Sequence, residues 1–209
     1  MNLNMSNFYA QATTRKKPDL FMFCGRFQTF HVGHENVMET GFRFADRGIM
    51  LVGSSQEAGT ERNPFDVSTR IEMIEEVYYE EVATGKLIIK PLPDLTNEND
   101  ITPDWGRYVL ENVKRFAHKI PEVMVYGNDE ARSRWFDPED IKDTTEIIVP
   151  RARIPVSATE MREYMLCNNR DAWNERVNPR LHKYYDRLRS ELLEVEYYKK
   201  KFDELISKK

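Results

Sequence analysis

Two short stretches of the sequence carry residue types whose spacing suits the holding of an anion. The first runs Gly25-Arg26-Phe27-Gln28-Thr29-Phe30-His31-Val32-Gly33-His34. It directly follows the apolar run Leu20-Phe21-Met22-Phe23-Cys24, so it lies at the carboxyl end of a strand and beside the start of the next helix. Free backbone N–H groups and the helix dipole favour a polyphosphate there. Gly33 at the helix start lets a ligand approach the backbone closely, and His31 and His34 add two side-chain donors. Taken alone, a His-x-x-His pair reads as ordinary polar loop residues. A metal site is the weaker reading, because no third ligand with suitable spacing accompanies the pair and structural zinc takes four.

The second stretch, Ser157-Ala158-Thr159-Glu160, matches a capping box, in which Ser157 binds an amide of the first turn and Glu160 reaches back to the cap. Arg162 then falls close to a helix N-terminus, where a cation is unfavourable unless an anion sits in front of it. By itself this is a good cap with a solvated arginine. Two anion-seeking helix starts in one chain are better explained as two sides of one triphosphate.

Positioning such loops requires a rigid scaffold, and the chain supplies one. Strand-sized apolar runs occur at Leu20 to Cys24, Ile49 to Val52, Leu87 to Ile89, Val123 to Tyr126 and Ile147 to Val149. Helical spacing separates them, as in Val37 to Phe44, Ile71-Ile74-Val77-Tyr78 and Tyr108 to Phe116. Strand alternating with helix, with near-continuous apolar strands, predicts a Rossmann-like, doubly wound α/β fold with a mostly parallel five-stranded sheet. Ligands of such sheets bind beyond the carboxyl ends of the strands. From Ser157 onward the pattern predicts helix after helix. Asn178-Pro179 forms a cap and first-turn pair, and Leu188, Leu192, Val195, Phe202 and Ile206 form an apolar stripe on a last helix, interrupted at Lys199. The expected organisation is a flexible arm over 1–19, one domain over 20–183 and an amphipathic C-terminal helix over 184–209.

At 209 residues one core of good size can form. Hydrophobic residues make up 40% and charged residues 32%, with no apolar run long enough to span a bilayer. The first nineteen residues lack a secretory signal pattern, and Cys24 and Cys167 have no metal-ligand spacing, so a cytoplasmic location is expected. A net charge of -4 argues against a general nucleic-acid binder.

Taken together, Gly25-Arg26-Phe27-Gln28 with His31-x-Gly33-His34, and Ser157-x-Thr159-x-x-Arg162, resemble the nucleotidylyltransferase superfamily. Gly53-Ser54-Ser55-Gln56-Glu57, Thr60, Asn63-Pro64-Phe65, Arg70-Ile71, Val125-Tyr126-Gly127-Asn128 and the segment from Asp94 to Trp105 narrow this. They resemble the archaeal-type nicotinamide mononucleotide adenylyltransferases, over about residues 20 to 183. The resemblance implies adenylyl transfer from magnesium-bound ATP to nicotinamide mononucleotide, giving NAD and pyrophosphate. The attacking phosphate is already ionised, so no protein nucleophile is required, and no Ser-His-Asp or Cys-His arrangement is evident. On this resemblance Arg26, His31, His34, Arg62 and Arg162 act on the phosphates as catalytic residues. Gly25, Phe27, Gln28, Gly33, Gly127, Asn128, Ser157 and Thr159 bind ATP. Ser54, Asp94, Leu95 and Trp105 bind the mononucleotide, Trp105 as a stacking platform for the nicotinamide. No protein side chain is expected to ligate the magnesium ion, and a homo-oligomer is weakly favoured.

Three positions depart from the family pattern: Thr29 stands for a common proline, Gly127 lacks the serine often found before it, and Ala158 replaces a common glycine. None is a proposed phosphate ligand. Another acceptor, such as nicotinate mononucleotide or phosphopantetheine, and a non-catalytic nucleotide sensor are the alternatives.

Overall fold

The structure, a computed structural model, describes residues 16–95, 102–127 and 132–207. Its centre is a five-stranded sheet ordered β3-β2-β1-β4-β5, in which every pairing is parallel. The strands are β1 (Leu20–Gly25), β2 (Arg47–Val52), β3 (Leu87–Pro91), β4 (Val123–Gly127) and β5 (Thr145–Val149). They contain the five apolar runs read from the sequence. Helices α1 (Val32–Phe44), α2 (Val67–Val77), α3 (Tyr79–Ala83) and α4 (Asp104–Ala117) fall between them.

Alternation along the central strands sends side chains into two separate layers. Phe21, Phe23, Met50, Val52 and Val125 pack against α1, α2 and the C-terminal helices. Leu20, Met22, Cys24, Ile49 and Leu51 pack against Val109, Leu110 and Val113 of α4. Both faces are covered, which is why the strands show no polar alternation. Strand order reverses between β1 and β4, and the crevice that opens beyond their carboxyl ends is where such sheets bind ligands. Gly25 and Gly127 are the last residues of those two strands.

After β5 come α5 (Ala158–Leu166), α6 (Arg170–Asn174), a 3-10 turn over Pro179–Tyr184, α7 (Tyr185–Glu194) and α8 (Glu196–Ser207). Asn178 caps as expected, accepting from Arg180 N–H at 3.1 Å, but the element that it caps is 3-10 rather than α. The segment expected as one last helix is two, broken at Val195, whose backbone is extended with ψ 122°. The break re-aims the apolar stripe. Leu188, Leu192 and Val195 stay in the core, Ile206 is 57% exposed, and Tyr198, off the expected stripe, is buried instead. No helix among the described residues is long and apolar enough to cross a membrane.

Candidate active site

The turn after β1 is built from the core outward. Phe27, with a left-handed backbone (φ 53°), turns its ring inward, where it is 2% exposed. There it meets Phe23 edge-on at 5.1 Å and His34 at 5.0 Å between centroids. The Phe27 side chain is therefore a floor for the site, and only its backbone can reach a nucleotide. Gln28 is also committed. Its side-chain amide accepts from Phe65 N–H at 3.0 Å and donates to Phe65 O at 3.0 Å and to Asn63 Oδ1 at 3.4 Å. The residue expected on ATP is thus a clasp between the β1 turn and the loop carrying Arg62.

His31 is the N-cap of α1. The His31 and His34 rings stack at 3.7 Å with 16° between planes, and the far side of His34 rests on Phe30. His31 N–H donates to His34 Nδ1 at 3.3 Å, which leaves the His34 proton on Nε2 in the neutral ring. Burial drives His31 down to about 3, helped by the charge of nearby Arg151. His31 is therefore neutral at pH 7 and offers a hydrogen bond rather than a charge. Gly33 is required sterically: a methyl there would lie 2.9 Å from Val156 Cγ1 and 3.0 Å from the His31 ring.

The second motif closes on the first. Ser157 accepts from Glu160 N–H at 3.2 Å, but the expected return bond is not made, because Glu160 instead accepts from Tyr164 O–H at 2.5 Å. Arg162 donates to the Gln28 carbonyl at 2.8 Å and to Thr159 Oγ1 at 3.1 Å. An arginine near the start of α5 is thus tied to the β1 turn across the crevice. Thr29 Oγ1, His31 Nδ1 and Arg162 Nε are buried polar atoms with no hydrogen-bond partner. Such atoms are costly to leave unmet, and their grouping here fits a site that a polar ligand completes.

On the other side, the loop after β2 meets the end of β3. Ser54 N–H donates to Asp94 Oδ1 at 3.2 Å, and the Gln56 side-chain amide pairs with Asp94 through its carboxylate and its N–H. Leu95 is 56% exposed. Trp105, at the start of α4, meets Trp135 edge-to-face at 6.3 Å. Gly106 makes that approach possible, since a Cβ there would lie 2.1 Å from the Trp135 carbonyl oxygen. Among the described residues, no group of three or more His, Cys, Asp or Glu is arranged to hold a metal ion.

A family model described as cytidylyltransferase-like matches residues 22–166. The nicotinamide-nucleotide adenylyltransferase of Saccharolobus solfataricus is 32% identical over 164 residues, 78% of this chain and 87% of that one. That of Thermococcus kodakarensis is 34% identical over 158 residues, covering 75% and 76% respectively. The chain belongs to this family. Its fold also matches a solved bifunctional NMN adenylyltransferase/ADP ribose pyrophosphatase of Francisella tularensis, complexed with AMP and a manganese ion. There the TM-score is 0.63 at 20% identity, over 92% of this chain and 56% of that one, so the chain spans little more than half of that protein.

Within the family frame, the structure gathers Gly25, Arg26, His31, Gly33, His34, Ser157, Thr159 and Arg162 around the β1 turn and the start of α5. Gly127 joins them at the end of β4, where a Cβ would lie 3.8 Å from the Arg151 side chain. Ser54 and Asp94 form a second group beside it. Arg62 lies in the exposed part of the β2 loop, and Asn128 lies outside the described residues. Two side chains escaped sequence reasoning as parts of the site. Arg70 is fully buried and donates to the carbonyls of Arg26, Gly53 and Ser54 at 2.8 to 3.1 Å, and to Asp66 O at 3.1 Å. Burial lowers it to about 10, so it remains charged. Its sequence signals are its place in the Arg70-Ile71 pair of the family resemblance and a cation set beside the apolar helical positions Ile71 and Ile74. Arg151, which lines an open groove with Pro155, Val156, Ser157 and Glu160, carries no local signal.

Proposed function

We propose that the chain transfers the adenylyl group of ATP to nicotinamide mononucleotide, forming NAD and pyrophosphate. The observation that carries this reading is the Arg162 to Gln28 carbonyl bond, because it draws both anion-seeking motifs into one crevice at the point where the strand order reverses. The names of the relatives support the acceptor.

In this reaction an oxygen of the mononucleotide 5′-phosphate bonds to the α-phosphorus of ATP. The bond from that phosphorus to the oxygen bridging to the β-phosphorus breaks, and pyrophosphate departs with the electron pair. The protein's part is placement and charge stabilisation. His34 donates from Nε2, while His31 supplies a neutral polar ring and shapes the helix start. The backbone N–H groups of Gly25, Phe27 and Gly33 line the phosphate side, with Ser157 and Thr159 opposite. Arg26, Arg62 and Arg162 balance charge that moves toward pyrophosphate. Magnesium enters with ATP as part of the substrate, held by its phosphates.

Ser54 and Asp94, already joined, face the acceptor with Leu95, and Trp105 offers an indole face to the cationic nicotinamide ring. Gly127 falls to the adenosine side, and Asn128 takes the same role on the family resemblance alone. The test is pyrophosphate release from ATP with three acceptors in parallel: nicotinamide mononucleotide, nicotinate mononucleotide and phosphopantetheine. Preferred turnover of the first, with NAD as product, is expected. Preference for another acceptor moves the reaction to that substrate, and nucleotide binding without turnover of any makes the chain a sensor.

A further inference from the structure

We infer that helix α8 is a brace that fixes the positions of both Arg62 and Arg162, and that Tyr198 is the positioning residue through which it acts. The inference rests on the phosphate roles proposed above for those arginines.

Tyr198 is 3% exposed, although it sits on the last helix of the chain. Its hydroxyl donates to the carbonyl of Glu61 at 2.8 Å, one residue before Arg62. The loop so held is otherwise closed mainly on itself, by Gly59 N–H to Pro64 O at 3.2 Å, Thr60 N–H to Asn63 O at 3.2 Å and Asn63 N–H to Thr60 Oγ1 at 3.0 Å. Those bonds shape the loop without fixing where it points. Contacts with the rest of the chain do that, among them the Gln28 clasp at Asn63 and Phe65 and the Tyr198 hydroxyl at Glu61.

The same phenol is within electrostatic reach of Arg162. Burial raises it, and the Arg162 guanidinium is the first of the groups that oppose this. One turn further, Lys201 ion-pairs with Glu163, the residue after Arg162. From α7, Arg189 donates to Met165 O at 2.9 Å and lies over the Phe202 ring of α8. Helix α8 therefore grips the exposed Arg62 loop on one side and the arginine-bearing first half of α5 on the other. The break at Val195 is what turns Tyr198 toward them. In a reaction that runs on placement, a shift of about 1 Å in a charge-bearing group costs roughly 100-fold in rate, so the distance between these elements is a catalytic parameter.

The experiment compares Tyr198→Phe with Tyr184→Phe in the full chain. Both lose one hydroxyl, but that of Tyr184 bonds Glu76, outside the site. For Tyr198→Phe, kcat/KM for ATP is expected to fall about tenfold, a rate effect of positioning, with KM for nicotinamide mononucleotide within about twofold of the parent. Tyr184→Phe keeps parental kinetics, and the two variants melt within a few degrees of each other. ATP kinetics of Tyr198→Phe within twofold of the parent, or an equal loss in Tyr184→Phe, overturns the inference. If the parent chain forms no NAD, the functional reading has failed, and the brace is judged by trypsin cleavage after Arg62. Faster cleavage in Tyr198→Phe alone then supports it, and unchanged cleavage overturns it.

Discussion

Gly33 and Val156 face each other so closely that a methyl group on the glycine would sit 2.9 Å from Val156 Cγ1. One belongs to the start of α1 and the other to the chain entering α5, so this contact sets the width of the crevice. Gly33→Ala gains roughly 1 kcal/mol of helix propensity and loses about 1 to 3 kcal/mol to overpacking. The expected net cost is about 1 kcal/mol in urea unfolding, while kcat/KM for ATP falls more than tenfold because the two loops are pushed apart. A large stability loss with intact kinetics would place Gly33 in the core rather than the site.

Arg162→Ala should lower kcat by about 100- to 1000-fold, the scale seen when one transition-state donor is removed. Lysine should recover little of it, because the guanidinium contacts Gln28 O and Thr159 Oγ1 with separate nitrogens, and an ammonium cannot reproduce that fork. Steady-state NAD formation measures both. Full activity in the lysine variant would mean that charge alone matters at this position.

Gln28→Ala should act first on stability. It leaves the buried N–H and C=O of Phe65 without their side-chain partners, at an expected cost of about 2 to 4 kcal/mol, read by urea denaturation. An altered KM for ATP with unchanged stability would return Gln28 to the role of a nucleotide ligand.

The buried, neutral His31 makes stability depend on pH. Its folded value is lowered from 6.5 to about 3, so between these values the unfolded chain binds a proton that the folded chain does not. Stability from this residue is therefore full above about pH 6.5 and lost as pH falls, by about 1.4 kcal/mol per unit. Between pH 7 and pH 5 the loss should be about 2 kcal/mol, and His31→Gln should flatten the slope. An equal slope in both proteins would show that other groups titrate in that window.

Trp105→Ala should raise KM for nicotinamide mononucleotide about tenfold, from loss of stacking on the cationic ring, while KM for ATP changes little. Initial-rate kinetics with each substrate varied in turn separates the two, and a matched rise in both would assign Trp105 to packing against Trp135.

What the sequence made legible follows from what is local. Strands β1 to β5 each contain a continuous apolar run, and Gly25, His31, Gly33 and His34 sit at a strand-to-helix junction whose chemistry depends on near neighbours. Contacts across long separations left no such trace. The Gln28 clasp left no trace because its partner Phe65 is 37 residues away, and Tyr198 stood off the expected apolar stripe because nothing local marks the break at Val195. Glu160 illustrates a smaller failure, since the pattern of a capping box was present but Tyr164, one turn on, took its carboxylate. Arg70, with Ile71, contributes to the family resemblance, but its structural role shows only where four backbone carbonyls from different segments converge on it.

That convergence also bears on how the acceptor could be redesigned. One guanidinium holds the carbonyl of Arg26, on the side proposed for the phosphates, and those of Gly53 and Ser54, on the side proposed for the acceptor, so the two proposed half-sites share a fixed hinge pin. A redesign of the acceptor side therefore has to keep Glu61, whose carbonyl takes the Tyr198 hydroxyl, as well as Gly53 and Ser54. A graft that carries across the Gly53-Ser54 junction must bring its own Arg70 or lose both half-sites together.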